Sequence, residues 1–168
     1  MLSYTPAYYN ESSSYFKSPE ILNAMNRALD YSEKVQREDG TFDLLISNFY
    51  SAPDTGFIMH NIGRVYKIME ANAKSKDEIT LKEKLYKLLY KAAEGLRDGG
   101  FHTPNHRWVE AAGLALAYNI TKDESFKEMA MMYLAECIDI DDNGEFTERS
   151  PRIYNAVNDN ALLILAEE

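Results

Sequence analysis

A single cysteine, Cys137, stands in 168 residues, so the chain can close no internal disulfide. That fits a reducing compartment, and a cytoplasmic location is the expectation. Cys137 sits in an apolar helical stretch and reads as a buried, inert thiol. Positive charge is scarce: 18 Lys and Arg stand against 27 Asp and Glu, a net charge of −9. Phosphate binding needs concentrated cations, which excludes a nucleic-acid partner. The lysines fall mainly between Lys74 and Lys91, interleaved with glutamates, as on the solvated side of a helix. No apolar run approaches the roughly 18 residues of a membrane span, so no membrane partner is expected. The opening Met1-Leu2-Ser3-Tyr4-Thr5-Pro6 lacks the basic and apolar regions of a signal peptide. There is no Gly-rich phosphate loop, no Gly-x-Ser-x-Gly elbow and no zinc-like Cys/His spacing, so neither cofactor nor metal is expected. Strands are missing too, since Thr41-Phe42 and Glu145-Phe146 are too short to count.

What the chain does have is helical periodicity, over a length that suits one domain with a real core. An irregular leader rich in tyrosine, residues 1–17, precedes six main helices. Ser18-Pro19-Glu20 opens the first, with Ser as cap and Pro at the first helical position, and Ile21, Leu22, Met25 and Leu29 follow at helical spacing. Ser51-Ala52-Pro53-Asp54 starts the second, with Phe57, Ile58, Ile62, Val65, Tyr66 and Met69 on one side. The third carries the clearest stripe, Leu81, Leu85, Leu88, Leu89, Ala92 and Leu96. A fourth, alanine-rich helix runs from about Asn105 to Tyr118. The fifth, capped by Thr121 or Asp123, reaches Ile138, and the sixth begins near Ser150-Pro151 and runs to the end of the chain.

An internal repeat orders these helices. Glu38-Asp39-Gly40-Thr41-Phe42, Asp98-Gly99-Gly100-Phe101 and Asp142-Asn143-Gly144-Glu145-Phe146 each close one helix and lead through a polar segment into the next. The repeating unit is then a helical hairpin. The fold class expected is all-α, with about three hairpins arranged as a partial (α/α) toroid, odd helices outside and even ones inside; the plainer alternative is a six-helix bundle. Rings of this kind need more than three hairpins to close. The chain stops inside an apolar helical run, Leu165-Ala166-Glu167-Glu168, so it reads as a single all-α domain, residues 1–168, at the front of a longer toroid. The apolar edge of an open arc would suit a homodimer.

Three loop strings carry the chemistry: Asn48-Phe49-Tyr50-Ser51-Ala52-Pro53-Asp54-Thr55, Thr103-Pro104-Asn105-His106-Arg107-Trp108 and Tyr154-Asn155-Ala156-Val157-Asn158-Asp159. On these strings the chain resembles the N-terminal (α/α)-toroid part of heparinase II/III-like proteins, among the polysaccharide lyases. The resemblance covers nearly all 168 residues, from Tyr8-Tyr9-Asn10 onward. It implies β-elimination on a uronic-acid polysaccharide, without a cofactor. The substrate carboxylate is neutralised, a base removes the C5 proton, and an acid protonates the leaving glycosidic oxygen. It implies that Asn105 bonds the carboxylate, that His106 neutralises it or acts as base, and that Tyr154 serves as base or acid. Family members continue into further hairpins and a β-sandwich, so little turnover is expected of this chain alone.

Around that core, Arg107 could clamp a carboxylate with two hydrogen bonds, and Trp108 is either a sugar platform or a wedge in the core. His102 shapes the loop or meets substrate. Asn158 is one turn from Tyr154 and Asn155, so those three could face a pocket, or the asparagines, Asn160 included, could bond loops to inner helices. Asn48, Tyr50 and Asp54 complete the substrate-binding set, although Asp54 after Pro53 is most simply a helix N-terminal residue. Asp139-Ile140-Asp141-Asp142-Asn143-Gly144 resembles half a calcium loop, but Ser150 stands where the bidentate Glu is needed, and an acidic turn accounts for it better. The partner expected is an acidic oligo- or polysaccharide. Competing readings are a glycoside hydrolase using a pair among Asp54, Glu110, Glu145 and Glu148, and a non-catalytic domain whose loops bind a carbohydrate or a protein.

Overall fold

The protein is described by a computed structural model covering residues 1–100, 103–136, 139–150 and 152–168. Seven helices and one small antiparallel hairpin make up the described residues: α1 (Tyr4–Tyr9), α2 (Pro19–Val35), β1 (Phe42–Leu44), β2 (Asn48–Ser51), α3 (Ala52–Asn72), α4 (Lys76–Arg97), α5 (Pro104–Thr121), α6 (Glu124–Ala135) and α7 (Tyr154–Glu167). The chain is therefore mostly helical, as its periodicity indicates.

Local chemistry sets the helix starts. The Ser18 hydroxyl accepts from the Ile21 amide at 3.4 Å, and Pro19 fills the first helical position. Ser51 accepts from the Asp54 amide at 3.3 Å. Ser75 and Glu78 form a reciprocal capping box at the head of α4. Asp123 caps α6 by accepting from the Ser125 amide at 3.0 Å, which decides between Thr121 and Asp123. By contrast α7 starts at Tyr154, some residues after Ser150, and Ile153 offers it no side-chain cap.

Two expectations need correction. The leader is not wholly irregular, because residues 4–9 form α1, which places Thr5 and Tyr8 in the core. Strands are present, too: β1 and β2 pair antiparallel, with Phe42 opposite Ser51 and Leu44 opposite Asn48. The Phe42 amide donates to the Thr55 hydroxyl at 2.8 Å, so helix α3 supplies a partner that two short strands cannot supply alone.

Contact registers give the helix directions. The Gln36 amide donates to the Leu88 carbonyl at 3.1 Å, and Lys84 pairs with Asp30 at 2.6 Å, so α2 and α4 run the same way. The Tyr90 hydroxyl donates to Asp123 and the Tyr133 hydroxyl to the Leu96 carbonyl, so α6 follows them. In a second set, Gly56 lies on Val109 and Gly63 on Leu116, which makes α3 and α5 parallel. Arg64 donates to Asn160 at 3.0 Å and Lys67 pairs with Glu168, which adds α7 in the same sense. The sets are antiparallel, since Tyr66 meets Tyr86 while Met59, Gly113 and Leu96 converge further along.

Helix α5 lies at the centre, with Arg107 to Leu114 buried without interruption. Its alanines and Gly113 allow α3 within reach: a Cβ on Gly113 would come 3.0 Å from Leu96 and 3.2 Å from Met59. Burial around most of α3 and α5 blurs the one-sided stripe expected of surface helices. Among the described residues no helix is long and apolar enough to cross a membrane.

Candidate functional site

Because α2, α4 and α6 run one way and α3, α5 and α7 the other, the three glycine turns lie at one end, beside the starts of α3, α5 and α7. Gly40, Gly99 and Gly144 all adopt positive φ, at 92°, 84° and 80°. The first turn is wedged on α4: a Cβ on Gly40 would fall 1.8 Å from the Lys91 carbonyl oxygen. Gly99 sits against Tyr133 and Met129 of α6, and Gly100 against Ala52 at the start of α3. The loop strings singled out by sequence therefore open on a common end.

Their side chains divide there into those reachable by a ligand and those committed to the fold. Tyr154 is 41 % exposed at the first position of α7. His106 is half-buried, its ring edge-on to Phe57 with centroids 6.4 Å apart. Tyr50 is 58 % exposed, and Asn48 and Asn155 are exposed. Asn48 donates to the Ser51 hydroxyl at 2.9 Å, and the Asn155 side-chain oxygen accepts from the Ser150 amide at 3.4 Å.

Asn105 is buried; its carboxamide oxygen accepts from the Thr103 hydroxyl and its main-chain N–H donates to Glu148, each at 2.7 Å. It holds the loop rather than reaching into solvent. Arg107 is also buried, and it bonds the Glu136 carbonyl and carboxylate, both at 3.2 Å, together with Asp139. Both terminal nitrogens are thus held within the chain while Nε has no hydrogen-bond partner among the described residues, so in place of the expected substrate clamp the side chain forms an internal tie between α5 and the segment after α6. Trp108, 1 % exposed, packs on Phe146 at 5.2 Å between ring centroids and is the core wedge, not the platform. Asn158 is 0 % exposed, and neither its amide nitrogen nor its oxygen has a hydrogen-bond partner among the described residues. His102 and Cys137 lie outside the described residues.

The carboxylates proposed for hydrolysis are occupied. Asp54 accepts from the Ser51 hydroxyl at 2.5 Å, Glu148 holds the Asn105 main-chain N–H, and Glu145 pairs with Arg149. Glu110 is fully buried beside the Tyr133 hydroxyl, whose pKa is pushed up by burial and then by that carboxylate. The half calcium loop is an acidic turn, in which one oxygen of Asp141 accepts from the amides of Asn143 and Glu145. Among the described residues no three His, Cys, Asp or Glu side chains converge as metal ligands would.

Sequence reasoning passed over His60. It is buried in α3, its Nε2 donates to the Val109 carbonyl at 2.9 Å, and its Nδ1 accepts from the Asn160 amide at 3.3 Å. A carbonyl only accepts, which fixes the neutral tautomer. Arg64 donates in turn to the Asn160 oxygen. Burial, with the Arg64 charge behind it, lowers the His60 pKa to about 4 against the pull of the Val109 bond. A histidine inside an apolar helical run gives no signal of this; the crowd of asparagines in α7 was the available hint, and Asn160 is the one that bridges α7 to α3.

Beside the common end, α2, the β-hairpin and α3 enclose an open groove of about 740 Å³, lined by Tyr31, Lys34, Arg37, Asp43, Tyr50 and Ile58 among others. Comparison of the chain with protein-family models, with curated proteins and with solved structures gives no match in any of the three.

Proposed function

We propose that this chain is a carbohydrate-binding (α/α)-toroid domain, similar to that of the polysaccharide lyases of the heparinase II/III-like kind, and that it takes an acidic oligo- or polysaccharide at the end where α3, α5 and α7 begin. One observation supports this reading above the others: the parallel registers of those three helices bring the starts of all three loop strings to a common end. His106 and Tyr154 are the groups that a ligand there could touch. In β-elimination one of them takes the C5 proton as the C4–O bond breaks and the C4–C5 double bond forms, and the departing oxygen gains a proton. Asn105 acts through the loop, by fixing the backbone that carries His106. Glycoside hydrolysis loses ground, because each carboxylate suggested for it already has a structural partner.

The test is binding of uronate oligosaccharides by calorimetry, with a parallel search for the ultraviolet absorbance of an unsaturated product. The chain alone is expected to bind with little turnover. His106→Ala and Tyr154→Phe should each weaken binding about tenfold, roughly 1.4 kcal/mol. Unchanged affinity in both variants would remove the reading.

A further inference from the structure

The groove between α2 and the β-hairpin holds an aromatic side chain fixed in an unfavourable backbone conformation. Tyr50 has φ at 52°, a region that L-residues with large side chains rarely occupy. Two contacts keep it there. Its amide donates to the Asp43 carboxylate at 2.9 Å, and the Arg37 guanidinium lies 4.9 Å from its ring centroid. Arg37 is itself fixed, because its Nε donates to the other Asp43 oxygen at 2.9 Å, its Nη2 donates to that same oxygen, and its main-chain amide donates to Thr41 at 2.8 Å. The Asp43 carboxyl is held below the usual carboxylate range by Arg37 and then by the Tyr50 amide, so it is ionised whenever the protein is folded near neutrality. One ring face is thus backed by a cation while the side chain as a whole remains 58 % exposed.

Tyr31, 64 % exposed, lines the same groove from α2. Lys34 stands one turn further along α2, exposed, with no ion pair among the described residues. The volume of about 740 Å³ lies within the usual range for a ligand site, roughly 300 to 1,000 Å³. An adjoining groove of about 440 Å³ shares Tyr31 and Ile58, so the depression continues along the molecule.

We infer that this groove is a sugar subsite, in which Tyr50 and Tyr31 stack on pyranose faces, the Arg37–Asp43 pair bonds ring hydroxyls, and Lys34 meets the carboxylate of a hexuronate. A fixed ring loses little freedom on stacking, and a planar donor fork beside an acceptor suits vicinal hydroxyls. The inference rests on the reading above only for the acidity of the sugar; the residues are different ones. It extends the ligand from the starts of α5 and α7 across to α2, so a polymer would lie over the end of the molecule rather than point into it.

Calorimetry on the purified chain tests this with tetrasaccharides of galacturonate, of mannuronate and of heparin, and with cellotetraose as the uncharged control. At least one uronate tetrasaccharide should bind. Tyr50→Gly should weaken it tenfold or more while the thermal midpoint stays level or rises, since glycine relieves the backbone at that position. Those opposite signs separate ligand contact from a structural role. Lys34→Gln should weaken the uronate about fivefold, and Tyr31→Ala should also weaken it. Binding that survives Tyr50→Gly and Tyr31→Ala within twofold but falls in His106→Ala would discard the groove and keep the earlier reading. The reverse pattern would keep the groove and discard His106. Cellotetraose binding as tightly as any uronate, absence of any uronate binding, or a dimer that Tyr31→Ala converts to monomer with no change in sugar affinity, would each overturn the proposal.

Discussion

His60 donates from Nε2 to the main-chain oxygen of Val109 at 2.9 Å, joining α3 to α5 through a helix carbonyl already inside the core. The ring is buried and neutral, and its pKa is lowered to about 4, first by burial. Unfolded, the same imidazole titrates near 6.5. Between these values the unfolded chain binds a proton that the folded one refuses, so stability must fall as pH drops from about 6.5 to about 4. The loss amounts to about 3 kcal/mol over that window. Between pH 7.5 and pH 5 about 2 kcal/mol of that should already be lost in the wild type, read as a shift of the urea midpoint, and much less in His60→Gln.

Glu78 produces a second, lower window. Burial pushes its carboxyl up, but the Lys17 ammonium at 2.5 Å and the amides of Lys74 and Ser75 at 2.8 Å outweigh that and hold the pKa at about 2. Its stabilisation is complete above the unfolded value of about 4.5 and disappears as pH falls towards 2. Glu78→Gln should therefore cost about 2 kcal/mol at pH 7 and almost nothing at pH 2. Acid titration of circular dichroism for both proteins measures the difference.

Two glycines with similar positive φ should respond differently to alanine. At Gly40 the added methyl would collide with the Lys91 carbonyl oxygen, whereas at Gly144 nothing lies within 4 Å. Gly144→Ala should cost only the left-handed conformation, about 1 to 2 kcal/mol. Gly40→Ala should cost about 4 kcal/mol or fail to fold, because main chain must move. Equal urea midpoints for the two variants would contradict the packing of this turn on α4.

Asn158 is wholly buried with no hydrogen-bond partner among the described residues. Leucine has the same branching and the same number of side-chain heavy atoms, and no polar atoms to desolvate. Asn158→Leu should raise stability by about 1 to 2 kcal/mol. A fall of that size would show that the amide is satisfied by a bound water or a ligand, and would return Asn158 to the site.

Most helices were legible because their caps are written in single residues. Ser18 before Pro19, Ser51 before Ala52-Pro53 and Asp123 before Glu124 act through one side chain and one amide, and such signals need no knowledge of the rest of the chain. The start of α7 lacks such a cap, and its beginning was placed too early, at the more conspicuous Ser150-Pro151. Strands β1 and β2 were missed because three and four residues carry no usable alternation, and a partner on α3 sustains them. In the site, residue type was readable but direction was not. Asn158 shares a string with exposed Tyr154 and Asn155 yet turns into the core, since one helical position is a rotation of about 100°; Arg107 and Trp108 are inward because α5 is buried on every side there. The Arg37–Asp43–Tyr50 arrangement had no signature at all, because its parts come from a helix end and both arms of a hairpin.

The opposed directions of the two helix sets carry an electrostatic consequence. At the end where α3, α5 and α7 expose their first amides, α2, α4 and α6 present their last carbonyls, so the peptide dipoles cancel along the long axis and survive only crosswise. In a molecule of net charge −9, an approaching polyanion would meet no attractive pole as a whole. It would instead be steered sideways, towards the amide-rich row and away from the carbonyl-rich one.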